Sequence, residues 1–280
     1  MICKKFTDEE LIDIYNKYYK NGISTVKIGE MYNINSRNFR TWFKKLGLEM
    51  RTNKINSRKY KLNDNYFEKI DTKDKAYWLG FIYADGYVSS SNGKRVGITL
   101  SIKDKDHLQA FKQCIDANYP IKEYTAKTKY NDNTRSCRIL VSSDKMYDDL
   151  VKHGVVEHKT NILNPPNIDD KLIKYFILGY FDGDGSIYYN HSQYPFYSIS
   201  FCATDGICNF INSYFVKNNL VYKECKIEKR KEGQIVSYIR FGGNIQVERI
   251  LNHLYDGVNL DIVLKRKYEL YINCKNRIFV

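Results

Sequence analysis

Two stretches of this chain repeat one pattern 99 positions apart, which limits the folds open to it. Residues 78–90 read WLGFIYADGYVSS and residues 177–189 read ILGYFDGDGSIYY. Gly80 aligns with Gly179, Ala84 with Gly183, Asp85 with Asp184 and Gly86 with Gly185. In each copy an apolar, aromatic run ends in Asp-Gly and turns β-rich. Gly80 with Ala84, and Gly179 with Gly183, are four residues apart, so each pair shares one face of a helix. Glycine costs a helix interior up to about 1 kcal/mol relative to alanine, so a solvent-facing helix would avoid it. Two such faces predict two helices packed backbone to backbone. A carboxylate closes each helix, so the packing brings Asp85 and Asp184 together. Two adjacent carboxylates repel unless a cation lies between them, which predicts a metal site on a pseudo-two-fold axis.

These paired stretches resemble the motifs of the LAGLIDADG homing endonucleases, in the single-chain form that carries both copies. The resemblance spans roughly residues 60–280. It implies an α+β fold of two pseudo-symmetric αββαββα repeats, whose antiparallel saddle-like sheets join through the two motif helices. The boundaries expected are 65–165 for the first repeat and 166–280 for the second, with Asn164, Pro165, Pro166 and Asn167 breaking the chain between them.

The order of patterns within the first repeat agrees. A helix at about 75–85 leads into a hairpin (GYVSS and RVGITLSIK), a helix (KDHLQAFKQCI), a second hairpin (IKEYTAKTK and TRSCRILVSS) and a helix stopped by Gly154. The second repeat restarts with a helix at about 168–183. VYKECKIEKRK and IVSYIRFGG are its second hairpin, and LDIVLKRKYELYINC is a closing helix. One face of each sheet buries against helices and the other stays free.

The N-terminal 50 residues read as a separate helical unit. Thr7 and Glu10 form a capping box for a helix containing Leu11, Ile14, Tyr15 and Tyr18, closed by Gly22. A helix at about 25–32, a turn through Asn33 and Asn35, and a helix from Ser36 to Gly47 have helix-turn-helix spacing. Val26, Ile28, Ile34, Phe39, Trp42, Phe43 and Leu46 are available for its core. The last helix offers Arg37, Arg40, Lys44 and Lys45 to DNA. Residues 51–64 then form a basic tether. From Arg37 to Lys61 there are nine basic residues against one acid, Glu49.

Charge fits this picture. The balance of 45 Lys+Arg against 32 Asp+Glu gives +13, compatible with nucleic acid or an anionic surface. No apolar run reaches the roughly 20 residues of a membrane span, so no membrane partner is expected. The basic residues recur on the second hairpin of each repeat: Lys122, Lys127, Lys129, Arg135 and Arg138 with Tyr124 in the first, and Lys223, Lys226, Lys229, Arg230, Lys231 and Arg240 in the second. Double-stranded DNA on the free sheet faces is the expected partner; ordinary solvated strand faces are the plain alternative. Seven scattered cysteines show no zinc spacing and read as buried thiols in a reducing, cytoplasmic setting.

The chemistry expected is phosphodiester hydrolysis with Mg2+, or Mn2+ in its place, held by Asp85 and Asp184 with the carbonyls of Ala84 and Gly183. Asp182, where the first copy has Tyr83, points elsewhere on its helix and reads as a structural acid or a support behind the metal-binding pair. The resemblance further nominates a lysine in each half: Lys159, and Lys267 with Lys265 as its competitor. It implies cleavage of both strands of a long DNA site across the minor groove by a monomer. No terminal splice-junction residues frame the chain, so a free-standing protein is expected. An RNA-binding intron maturase, or a non-cleaving transcriptional regulator on the same scaffold, stays open. The regulator reading predicts loss of a motif carboxylate, and both are present.

Overall fold

The computed structural model describes residues 6–50, 60–126, 134–157, 163–191, 193–229 and 236–278. The chain divides into two compact units, Met1–Lys61 and Leu62–Val280.

In the first unit, α1 (Asp8–Ile14) opens with the expected capping box. Glu10 donates its backbone N–H to Thr7 Oγ1 at 3.2 Å, and its carboxylate accepts from the Thr7 N–H at 2.8 Å. A π-helical segment, Tyr15–Tyr19, continues it. Then come α2 (Thr25–Tyr32) and α3 (Ser36–Lys45). Asn33 ends α2 in the left-handed region (φ 51°), as a short-side-chain amide tolerates. Helix α3 starts at Ser36 as expected, and Asn35 caps it, its Oδ1 accepting from Arg37 N at 2.9 Å. Leu11, Ile14, Tyr19, Ile28, Phe39, Trp42 and Phe43 make the core, with Ile34 and Leu46 half-buried against it. Val26 does not join this core and is 49% exposed. The buried positions of α2 are Thr25, Ile28 and Gly29, and their three-to-four spacing turns Val26 outward.

The second unit holds both repeats. The first runs α4 (Lys73–Ala84), β1 (Gly86–Ser89), β2 (Arg95–Ser101), α5 (Lys105–Cys114), β3 (Lys122–Ala126), β4 (Thr134–Ser142) and α6 (Asp144–Lys152). The second runs α7 (Ile173–Asp184), β5 (Gly185–Asn190), β6 (Phe196–Ala203), α8 (Asp205–Lys217), β7 (Glu228–Lys229), β8 (Ser237–Gly242), α9 (Asn244–Tyr255) and α10 (Lys265–Ile278). The sheets share one topology, β1-β2-β4-β3 and β5-β6-β8-β7, with antiparallel neighbours throughout. The fold is the expected α+β pair of four-stranded sheets, with one helix beyond the αββαββα pattern in the second repeat. Among the described residues no helix is long and apolar enough to cross a membrane.

Strand alternation sorts each sheet into two faces. Val96, Ile98 and Leu100 on β2 and Cys137, Ile139 and Val141 on β4 are buried. In the second sheet Ile199 and Phe201 on β6 and Ile239 and Phe241 on β8 do the same. The motif helices α4 and α7 are apolar nearly all round, and unbroken runs from Ala76 to Tyr83 and from Tyr175 to Asp182 are buried. That is the burial expected of central helices.

Several boundaries differ from expectation for identifiable reasons. Helix α7 starts at Ile173, because a single 3-10 turn at Asp170–Leu172, capped by Asp169, precedes it. Of the strand expected over 221–231, the described residues 221–229 are extended only at Glu228–Lys229. Asn212 on α8 takes both backbone groups of Cys225, donating to its carbonyl at 2.9 Å and accepting its N–H at 3.1 Å. Those groups are then not offered to a neighbouring strand. The closing helix starts at Lys265 rather than near Leu260. Ile262, Val263 and Leu264 are buried as irregular chain, and Leu264 N donates to Asp182 Oδ2 at 2.9 Å.

The thiols are less uniform than expected. Cys137, Cys208 and Cys274 are buried, Cys114 and Cys225 half-buried and Cys202 exposed. Cys202 alternates with the buried Phe201 and Ala203 of β6, which puts it on the free face.

Candidate functional site

The site grows from the crossing of α4 and α7. A Cβ placed on Gly80 would lie 2.8 Å from the Phe176 carbonyl carbon and 2.9 Å from Tyr180 N. One on Gly179 would lie 2.8 Å from the Tyr77 carbonyl carbon and 2.9 Å from Phe81 N. Each glycine therefore faces the other helix's backbone with no room for a side chain, as the sequence predicts. Farther along, Ala84 fits against Gly183, and a Cβ on Gly183 would reach within 3.4 Å of both Asp85 N and Asp85 Oδ2. The two motif ends thus meet.

Asp85 is half-buried at the end of α4 and Asp184 exposed at the end of α7. The charges of both reach the Lys267 ammonium and the Tyr180 phenol. Burial holds the Tyr180 phenol well above its ordinary range, and its hydroxyl donates to the Cys202 carbonyl at 2.9 Å. The donor set suits a hard divalent cation: two carboxylates at carbonyl-rich helix C-termini, accessible to solvent. Among the described residues no group of three or more His, Cys, Asp or Glu could hold a metal by itself. Such a site would need water and phosphate oxygens to complete a shell, the manner in which Mg2+ is commonly bound.

Behind this pair lies a buried polar network around Asp182, whose partners the sequence does not disclose. Asp182 is fully buried and accepts from Tyr77 OH at 2.6 Å, Leu264 N at 2.9 Å and Tyr255 OH at 3.4 Å. It joins the motif helices to each other and both to the start of α10. Burial raises its pKa to about 6, opposed first by the Lys267 charge and then by these donors. Lys267, only 3% exposed, donates to the carbonyls of Phe181, Gly183 (3.2 Å) and Gly185 (2.6 Å). Burial lowers its pKa to about 8, with Asp182 the largest opposing influence. In the first repeat Tyr83 occupies the position of Asp182 and donates to the His153 carbonyl at 2.6 Å. The two carboxylates are therefore supported by different chemistry.

Of the two lysines weighed in the second half, Lys267 reaches the motif, whereas Lys265 is exposed and lies 3.7 Å from Asp106. Lys159 falls outside the described residues, as do Lys127, Lys129, Arg230, Lys231 and tether residues 51–59.

Strand register divides the basic candidates by face. Lys122, Arg138 and Thr99 are cross-strand partners on the free face of the first sheet, with Tyr124 beside them. The Arg138 guanidinium lies 5.8 Å from the Tyr124 ring centroid. Arg240, Ser200 and Ser186 form the matching row of the second sheet, and Arg240 lies 5.8 Å from the Tyr238 ring. Arg135 has the parity of the helix-covered face, at its exposed end, and pairs with Glu123 at 3.3 Å. Lys229 likewise pairs with Asp205 at 2.9 Å. Lys223 and Lys226 are exposed on irregular chain before β7. In α3, Arg37, Arg40, Lys44 and Lys45 are all exposed.

Comparison with known proteins agrees with this architecture. Residues 72–153 match the family model of the LAGLIDADG-like domain. The homing endonuclease I-WcaI bound to its DNA recognition sequence is a structural neighbour at 18% identity and TM-score 0.50, covering 81% of this chain and 96% of its own. The meganuclease I-SmaMI bound to uncleavable DNA aligns at 13% identity and TM-score 0.49 over 71% of this chain and 88% of its own. The I-LtrWI LAGLIDADG homing endonuclease bound to target DNA aligns at 12% identity and TM-score 0.48 over 77% and 91%. A search of curated protein sequences gave no match. The chain shares the fold of the homing endonuclease I-WcaI, and its residues 72–153 match a LAGLIDADG-like domain.

Proposed function

We propose that this protein is a site-specific endonuclease that cuts both strands of duplex DNA across the minor groove, using a divalent metal held by Asp85 and Asp184. The observation that carries this reading is the meeting of Asp85 and Asp184 at one end of the α4–α7 crossing, where Asp85 Oδ2 comes within 3.4 Å of a Cβ position on Gly183. The fold shared with I-WcaI, a homing endonuclease bound to its DNA recognition sequence, supports the same reading.

Mg2+, with Mn2+ as its substitute, would be held by Asp85 and Asp184 with the carbonyls of Ala84 and Gly183, and when bound it supplies charge relief at the phosphate and an activated water. The chain's own contribution is placement. Packing through Gly80 and Gly179 fixes the separation of the two carboxylates. Lys267 ties down the carbonyls of Phe181, Gly183 and Gly185 on either side of Asp184, so it acts as a positioning residue. Lys122, Arg138 and Arg240 on the free sheet faces meet the DNA, where a groove-lying β-ribbon reads base edges and phosphates. Because one chain supplies both carboxylates, a monomer suffices and an asymmetric target can be read. It works wherever the host DNA resides.

The test is cleavage of a randomised duplex library with and without Mg2+, with Asp85→Asn and Asp184→Asn beside the native protein. Double-strand cuts at one long site, lost in either variant while binding persists, are expected. Tight DNA or intron-RNA binding without metal-dependent cleavage by any version would overturn the nuclease reading in favour of a regulator or a maturase.

A further inference from the structure

We infer that the Met1–Lys61 unit is a second, sequence-reading contact to duplex DNA, in which Arg37 and Arg40 address base edges in a major groove and Lys44 and Lys45 the flanking phosphates. It concerns a unit apart from the Asp85–Asp184 pair and stands or falls independently of the nuclease reading.

Helix α3 is split into two stripes. Phe39, Trp42 and Phe43 are buried in the unit's core, with Leu46 half-buried beside them. Arg37, Arg40, Thr41, Lys44 and Lys45 follow the same three-to-four spacing on the other side and are exposed. Four cations and no acid occupy that stripe. Of the unit's acids, Asp8, Glu9 and Glu10 are gathered in the first turn of α1, where they favour the helix dipole, and Asp13, Glu30 and Glu49 also lie outside α3. The outer face of α3 is therefore complementary to a polyanion.

Geometry favours a groove over general charge attraction. Helices α2 and α3 are joined by three residues, Asn33–Asn35, with Asn33 left-handed, the compact connection of a helix-turn-helix. Arg40 Nε donates to Thr25 Oγ1 at 3.0 Å, and Thr25 is buried on α2. An arginine held in this way loses less freedom on binding than one waving in solvent. Thr41 returns its hydroxyl to the Arg37 carbonyl at 3.0 Å, so the arginines carry the donors suited to a guanine edge. In such motifs the N-terminal half of the second helix meets the bases. Arg37 and Arg40 lie in that half; Lys44 and Lys45 lie in the last turn.

The experiment selects binding sites for the full chain from a random duplex library, then measures affinity against salt for three double variants. The expected site contains an extra base-preferring block of a few base pairs outside the main target. R37K/R40K keeps the charge and loses the forked donors. Its preference for the block over a scrambled one should fall roughly 10-fold or more, with the salt slope unchanged. K44A/K45A should lower the slope of log affinity against log salt by about 1.8, leaving base preference intact. K20A/K27A, which removes exposed lysines of the same unit outside α3, should change neither. Absence of a second block, equal losses in all three variants, or an α3 effect seen only with RNA would each overturn the inference. These are surface substitutions, and unchanged circular dichroism confirms that each variant is folded.

Discussion

Tyr77 on the first motif helix donates its hydroxyl to the carboxylate of Asp182 on the second at 2.6 Å, in full burial. This bond ties one repeat to the other beside the motif ends, and the carboxylate it reaches is also the anchor for Leu264 at the start of α10. Lys267, far from Asp182 in sequence, supplies its main compensating charge. Asp182→Ala removes that compensation and strands three donors, so it should cost about 3–5 kcal/mol in urea unfolding. Lys267→Met should cost a similar amount. The double variant should be markedly less damaging than the sum, since neither charge is then left alone in the core. Strict additivity of the two costs would show that the residues do not act as a pair.

Gly179 illustrates a different constraint. Its neighbours across the crossing are the backbone atoms of Tyr77 and Phe81, which cannot swing aside as a side chain can. Gly179→Ala should therefore destabilise by about 3 kcal/mol and abolish cleavage, because the helices must part to admit one methyl. Gly206 in α8 is the contrasting case. A Cβ there would meet nothing nearer than 3.6 Å, at Pro165. Gly206→Ala should be neutral or stabilising by up to about 1 kcal/mol. Equal melting temperatures for the native protein and the Gly179→Ala variant would sink the account of the crossing.

What the sequence discloses follows from how local each cause is. Only glycine or alanine permits backbone contact, so Gly80, Ala84, Gly179 and Gly183 mark the crossing in the sequence itself, and the carboxylates after them follow. The partner of a basic residue is not local. Strand parity alone puts Arg135 and Arg138 on opposite faces of β4, but only the pairing with β3 brings Glu123 to Arg135. Long-range side-chain bonds are equally silent. Asn212 dissolves an expected strand by satisfying Cys225, and Asp182 delays α10 by holding Leu264, neither of which leaves a periodic trace.

His107 predicts how the fold responds to acid. It is buried beside Tyr77, Trp78 and Phe81, and its Nδ1 is without a hydrogen-bond partner. Burial, reinforced by the Arg266 and Lys267 charges, lowers its pKa from 6.5 to about 3. The unfolded chain therefore binds a proton that the folded one refuses between those values. This group's contribution to stability is fully present above pH 6.5 and is lost as pH falls toward 3. At pH 4 the loss is on the order of 3 kcal/mol. His107→Phe keeps an aromatic ring in place and removes the titration, so its stability should fall less steeply between pH 7 and 4. Parallel stability curves for the two proteins would refute the assignment.

Cys202 offers a chemical probe of the proposed DNA face. It is the exposed thiol of the described set and stands on the free side of β6, opposite Tyr238 and one residue pair from Ser200 and Arg240. Cys137, Cys208 and Cys274 are buried, and burial raises each thiol's pKa, that of Cys208 to about 12. A maleimide reacts with thiolate, so under native conditions it should modify Cys202 well before these three. If DNA lies on this sheet, bound target duplex should slow that reaction several-fold, and prior attachment of a bulky maleimide should block target binding. Cys202→Ser should bind as the native protein does and resist the blockade. Labelling of Cys202 at the same rate with and without bound duplex would move the DNA off the free face of the second sheet.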